Sequence, residues 1–282
     1  MVILKYVADV ASQLNKLISA NSSIGFVPTM GALHKGHLSL LEKCKESCDI
    51  TICSIFINPT QFNNADDFKK YPVKLENDIY LLEKKGCDIL FLPEVSEMYP
   101  EGIVSKKHFD LGYLENILEG KFRPGHFQGV CQVVERLLQI VAPTHLFLGQ
   151  KDYQQCMVIK KLLEIENLNI ELIICKTLRE KSGLAMSSRN LRLNEEQREK
   201  AAEIHKTLLN LKQKIKPGSI SHLKKEAKEY LSNKNIKPDY VEIAEAGNLK
   251  AIEEWDGTTE LVALVAAFIG DVRLIDNILL KD

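Results

Sequence analysis

Two histidines, His34 and His37, stand three residues apart after a short apolar run, in the stretch Gly25-Phe-Val-Pro-Thr-Met-Gly-Ala-Leu-His-Lys-Gly-His-Leu38. Residues three apart on a helix share a face, so both imidazoles can aim a ring nitrogen at one ligand. A neutral imidazole donates one hydrogen bond, and an imidazolium adds a charge. The flanking residues define a corner. Ile24, Phe26 and Val27 read as a buried strand that Pro28 and Gly31 end, while Leu38, Leu40 and Leu41 take helical spacing and predict a helix from Gly36 or His37. The first N–H groups of such a helix lack intrahelical partners and lie at the positive end of its dipole, so the corner is expected to attract phosphate. Gly31 and Gly36 let a ligand come close to the backbone. A His-x-x-His pair alone is more often two surface side chains; the strand, the glycines and the missing bulk favour a nucleotide site.

Two further stretches carry groups of the same kind. Gly149-Gln-Lys-Asp152 again places a glycine and then a cation before a helix, with Gln154 and Gln155 just inside it. Lys181-Ser-Gly-Leu-Ala-Met-Ser-Ser-Arg-Asn190 offers the planar fork of Arg189 beside the hydroxyls of Ser187 and Ser188, a set suited to phosphate.

The elements that must position these groups alternate. Strands are predicted over 24–27, 50–57, 88–92, 146–148 and 170–175, with a helix beginning near 36 or 37 and further helices near 76–85, 127–141 and from the 149–152 loop to about 165 between them. Pro59 stops the second strand at Asn58-Pro-Thr-Gln-Phe62, and a polar loop with Asn63, Asn64, Asp66 and Asp67 follows. The long stretch 93–125 reads as a functional loop region. Strand-helix alternation predicts an α/β fold, a Rossmann-like doubly wound parallel sheet, in which ligands lie beyond the carboxyl ends of the strands. The loops 29–37, 58–62 and 149–155 are at those ends. From Asn194 onward Lys, Glu and Leu recur at helical spacing, predicting helices over 195–214 and 219–232 around Pro217-Gly218, then strands over 240–244, 260–268 and 272–275 in a small antiparallel sheet. The expected division is a Rossmann-like domain over 1–176 and a smaller α+β lid domain over 177–282.

Composition excludes several classes. With 282 residues, 45% hydrophobic, the chain can bury one large core or two unequal ones, and a net charge of −1 gives no global steering toward nucleic acid or membrane. Lys224, Lys225 and Lys228 lack interleaved aromatic residues and read as a solvated helix face. The start MVILKYVADV has no apolar h-region, the apolar run 261–270 is too short to span a bilayer, and the seven cysteines are odd in number without a Cys-x-x-Cys pair. These features predict a cytoplasmic protein with reduced thiols.

The pattern His34-Lys-Gly-His37 resembles the first signature of the nucleotidyltransferases related to class I aminoacyl-tRNA synthetases, and Met186-Ser-Ser-Arg189 stands where those synthetases carry a mobile Lys-Met-Ser-Lys-Ser loop, with Arg189 in place of the second lysine. Five longer strings occur in order: PTMGALHKGH, SIFINPTQF, LEGKFRPGHFQGV, GQKDYQQ and REKSGLAMSSRN. Together they resemble the pantoate–β-alanine ligase (pantothenate synthetase) family over nearly the whole chain. The resemblance implies ATP-dependent condensation of pantoate with β-alanine through a pantoyl-adenylate, releasing AMP and pyrophosphate, with Mg2+ bridging phosphates and a homodimeric protein. By position it implies ATP contacts from Met30, Gly31, Ala32, Leu33, His34, Lys35, Gly36 and His37, from Gly149, Gln150, Lys151 and Asp152, and from Leu178, Met186, Ser187, Ser188 and Arg189. His37, His34 and Lys151 would act in catalysis, and Gln61 and Gln155 would hold pantoate. No protein-only metal site is expected; Asp78 is a weak candidate for a water-mediated contact to Mg2+. Val73-Lys74 departs from the family's usual Arg-Thr, and Gln132 from its usual Thr. Two other classes share parts of the pattern. A cytidylyl- or adenylyltransferase with a phosphate acceptor should carry basic residues at Gln61 and Gln155, and a noncatalytic synthetase relative would bind RNA.

Overall fold

The computed structural model describes residues 1–17, 22–62, 68–69, 71–104 and 107–281, so the polar stretch 63–67 lies outside the described residues. The chain forms two compact units. The first comprises Met1–Gly149 and Val158–Cys175, the second Gln150–Met157 and Lys176–Asp282.

In the first unit six strands make one parallel sheet in the order β1-β4-β3-β2-β5-β6: β1 Val2–Leu4, β2 Ile24–Thr29, β3 Ile50–Ile55, β4 Ile89–Phe91, β5 His145–Gly149 and β6 Glu171–Cys175. Every residue of β3 is buried, as expected where helices cover both faces of a sheet. Order along the sheet reverses at β2. The chain steps outward through β3 and β4 and then returns to β5 on the other side, so the crevice between the carboxyl ends of β2 and β5 is the switch point where such sheets bind ligands. Helix α2 (Lys35–Ser47) buries Leu38, Leu40, Leu41 and Cys44, and it packs tightly on β2 because Gly25 has no side chain. A Cβ there would sit 2.2 Å from the Cys44 sulfur.

Three details depart from the sequence expectation. A three-residue strand, β1, and helix α1 (Val7–Leu17), unpredicted, begin the unit, with β1 pairing β4 at the sheet edge. Three residues are too few for alternation to show, and only Val10 and Leu14 of α1 are buried. Secondly, Pro28 lies within β2 rather than ending it. β2 pairs with β5 only at Gly25 and Phe26 but with β3 through Thr29, so Pro28 falls where the sheet is open on one side and a residue without an N–H is tolerated. Thirdly, α2 begins at Lys35, one residue early, because His34 itself caps it.

The second unit is built on a three-stranded antiparallel sheet, β11-β10-β8, with β8 Lys237–Glu245, β10 Leu261–Ile269 and β11 Val272–Leu279; β7 (Gly218–Ser219) and β9 (Glu254–Trp255) form a small separate ribbon. The apolar run 261–269 is the central strand, covered by the Ala201, Ile204, Leu208 and Leu211 face of the helix Glu195–Lys214 and by Leu223, Ala227 and Leu231 of Ser221–Asn233. Lys224 is not solvated. It bonds Glu242 at 2.9 Å and Glu253 at 2.8 Å with its side chain 13% exposed, so only its neighbours Lys225 and Lys228 face water. All seven cysteines are free thiols, five of them buried. Among the described residues no helix is long and apolar enough to cross a membrane.

Candidate active site

The corner after β2 is held by its own histidines. Nδ1 of His34 accepts the Gly36 amide at 3.1 Å, and Nδ1 of His37 accepts the His34 amide at 3.3 Å, a capping box closed in both directions. A ring nitrogen that accepts carries no proton, so this geometry assigns the proton of each ring to Nε2. The rings stack, centroids 4.0 Å apart at 27°. Serine, threonine or aspartate would cap equally well but would have no second, donating nitrogen. Within this corner the amides of residues 34 and 36 are bonded to the two rings.

The loop before the helix is braced from elsewhere. Gly31 and Ala32 both have positive φ, 81° and 48°, a turn that brings two successive amides together. Asp78, in the helix Leu75–Lys84 and 1% exposed, accepts them: Ala32 N–H on Oδ2 and Leu33 N–H on Oδ1, each at 2.8 Å. A Cβ on Gly31 would come within 3.1 Å of that same Oδ2. Burial pushes the Asp78 carboxyl above its ordinary value against the pull of the Leu33 and Ala32 amides. Asp78 is thus a loop brace. Its signal in the sequence was a carboxylate on the helical stripe of Leu75, Ile79 and Leu82. A cavity of about 560 Å³, the size of a small-molecule site, opens here between Met30, Asp78, Phe56, Lys74 and Glu94, with the unusual Val73 on its wall.

Gln61, 9% exposed, ends the turn Pro59–Gln61 after β3. Its Nε2 lies 3.0 Å from Met30 Sδ, and its Oε1 accepts from Asn58 Nδ2 at 3.3 Å. Asn58 is fixed in turn: Oδ1 accepts from the Tyr99 hydroxyl at 2.8 Å and Nδ2 donates to Gly129 O at 3.1 Å. Burial raises the Tyr99 phenol to about 12, so it remains a donor. Behind the turn, Arg123 donates to His126 Nε2 at 3.1 Å and His126 Nδ1–H reaches Gln61 O at 2.8 Å. The helix His126–Val141 approaches at Gly129, where a Cβ would meet Thr60 O at 2.3 Å. The string RPGHFQG thus works from behind, setting the backbone of Gln61.

In the second unit, Gln150–Asp152 form one turn of 3-10 helix, and the Lys151 side chain, 16% exposed, lies 3.4 Å from Asp152 Oδ1. Gln155 follows inside the helix Tyr153–Ile165, half-buried. Leu178 and Met186 are opposite each other in a narrow hairpin, Met186 N–H on Leu178 O at 3.0 Å, whose turn closes through Gly183 at φ 92°. Ser187 caps the 3-10 turn Ser188–Arg192 by accepting the Arg189 amide at 3.2 Å. Lys151 and Ser187 share a small cavity with Asn190 and Asp276. Gly149 itself ends β5 in the first unit. Each unit therefore gathers its own share of the expected residues: Met30 to His37 with Gln61 in the first, Gln150 to Asp152, Gln155, Leu178 and Met186 to Arg189 in the second. Among the described residues no three His, Cys, Asp or Glu side chains converge as a metal site.

Residues 2–279 match the model of a family described as pantoate-beta-alanine ligase. The pantothenate synthetase of Cytophaga hutchinsonii is 46% identical over 92% of both chains, and that of Fervidobacterium nodosum 45% identical over 94% of both. A crystal structure of pantothenate synthetase from Thermus thermophilus superposes with a TM-score of 0.91 at 36% identity, covering 100% of both chains. The pantoate-beta-alanine ligase of Francisella tularensis, in a structure described as complexed with beta-gamma ATP and beta-alanine, gives 0.84 at 39% identity over 100% of this chain and 98% of its own.

Proposed function

The chain belongs to the pantoate–β-alanine ligase family, ATP-dependent enzymes that form an amide bond between pantoate and β-alanine, and from that premise we propose that it works through a pantoyl-adenylate. One carboxylate oxygen of pantoate attacks the α-phosphorus in line, the bond from that phosphorus to the bridging oxygen breaks, and pyrophosphate leaves. The β-alanine amine then attacks the activated carbonyl, loses a proton and expels AMP. No covalent enzyme nucleophile is required. The chain's task is to meet the charge on the phosphoryl oxygens with donors already in place.

The observation that supports this reading is the capping geometry of His34 and His37, in which each Nδ1 accepts a backbone amide and the proton of each ring is assigned to Nε2. Lys151 adds an ammonium, Ser187 and Ser188 hydroxyls, and Arg189 its guanidinium fork. Met30 to Gly36, Gly149 to Asp152, Leu178 and Met186 hold the remainder of ATP. Gln61 and Gln155 recognise the hydroxyls and carboxylate of pantoate, each with one acceptor and one donor. Mg2+ would enter with the triphosphate, and it would supply neutralisation of phosphate charge while keeping several of its waters. The domain over 177–282 serves as the lid bearing the Met-Ser-Ser-Arg loop. The protein acts as a cytoplasmic homodimer, a state that light scattering after size exclusion tests.

Exchange of labelled pyrophosphate into ATP checks the scheme. It should require pantoate and Mg2+ but not β-alanine. Exchange that demands β-alanine, or that runs on a phosphate acceptor in place of pantoate, overturns it.

A further inference from the structure

Strand β11 carries two adjacent polar residues in an apolar run, Leu274-Ile-Asp-Asn-Ile278. Asp276 is 5% exposed and Asn277 2%. Burying a carboxylate and an amide inside a sheet is costly unless both are fully bonded, and here they are bonded to two different loops. Asp276 takes Arg179 in a two-pronged pair, Nη1 to Oδ2 at 2.6 Å and Nη2 to Oδ1 at 3.0 Å. The same guanidinium donates to Gly183 O in the hairpin's turn and to Asn277 O on β11, both at 3.2 Å, which ties the hairpin that leads to Ser187 to this strand. Asn277 faces the other way. Its Nδ2 donates to Gln150 O and Lys151 O, each at 2.9 Å, and its Oδ1 accepts from Gln150 Nε2 at 3.2 Å.

We infer that Asp276 and Asn277 are positioning residues that set Lys151 and the Ser187–Arg189 segment in fixed register with each other. The brace is short because the residues are neighbours: one peptide unit separates the group that holds the Lys151 backbone from the group that holds the hairpin. Lys151, Ser187 and Asp276 already border one cavity. This inference rests on the adenylate reading, in which Lys151 and Ser187 serve the first half-reaction. Displacing reacting groups by about 1 Å can cost about 100-fold, and such a loss falls only on the step that uses them.

The test is Asn277→Asp, which keeps the shape and removes both N–H donors, with Asn277→Ala as a second variant and thermal unfolding to identify variants that fail to fold. Pantoate-dependent pyrophosphate exchange should fall by roughly 10- to 100-fold, whereas the rate of pantothenate formation from supplied pantoyl-adenylate and β-alanine should stay within about twofold of the parent. In a Lys151→Ala background Asn277→Asp should cost markedly less than in the parent, since it acts in large part through Lys151. Equal slowing of both half-reactions in a folded variant, or fully additive losses with Lys151→Ala, refutes the brace. Failure of the unaltered enzyme to exchange pyrophosphate without β-alanine would instead refute the adenylate reading itself, so the two failures are told apart.

Discussion

The histidine corner of the first unit and the Lys151 and Ser187–Arg189 segments of the second are built by opposite means. In the corner the capping partners are close in sequence: His34 and His37 cap each other across three residues, and Asp78 adds a brace from another element. In the second unit the partners are far apart. Arg179 pairs with Asp276 across 97 residues, and Asn277 holds Gln150 across 127. A site built locally is written as a spacing motif and survives as a string. A site built by distant partners leaves only isolated polar residues in apolar runs.

The comparison is broken most severely at His37. His37→Ala should lower turnover by about 10²–10³-fold, the range for losing one transition-state donor. The two nitrogens can be separated: His37→Asn retains an acceptor near Nδ1 and His37→Gln a donor near Nε2. Asn should restore thermal stability without turnover and Gln should restore part of the turnover; the reverse pattern would contradict the assigned tautomer. Gln61→Ala and Gln155→Ala come next. A buried polar partner left unpaired costs about 1–3 kcal/mol, so each should weaken pantoate use by roughly 5- to 150-fold while ATP binding, read by calorimetry, is spared. Asp78→Asn sharpens the local case. An amide can accept from only one of the Ala32 and Leu33 N–H groups, so unfolding should become easier by about 1–3 kcal/mol, and unchanged stability would show that the loop does not depend on the brace.

How much could be read in advance follows the same division. The parallel sheet, the helix spans and the small antiparallel sheet were visible in periodicity because each is a local pattern. The strings that matched a family were visible because they hold the loops at strand ends. Hidden were β1, too short to alternate, and the tolerance of Pro28, which depends on how far β5 extends beside it. Asn58, His126, Arg179, Asp276 and Asn277 were hidden for a different reason. Their partners are backbone groups and side chains of other segments, and no spacing rule connects them.

The smallest expected effect lies beneath the hairpin of the second unit. His205 is half-buried under Gly183, where a Cβ would approach its Nδ1 to 2.6 Å. Burial and then the Arg179 charge lower its pKa below the ordinary 6.5. Below 6.5 the unfolded chain therefore binds a proton that the folded chain refuses, so the contribution of His205 is complete above 6.5 and is lost as pH falls through the lowered folded value. Melting temperature should drop on acidification through this window, and His205→Gln should flatten that part of the profile.

The central claim, that a carboxylate oxygen of pantoate joins the α-phosphorus held by the histidine corner, is tested most directly by isotope transfer. Pantoate labelled with 18O in its carboxylate should pass one labelled oxygen into the phosphoryl group of AMP, read by mass spectrometry, and none into pyrophosphate. AMP without label, or label released in inorganic phosphate, would contradict the account.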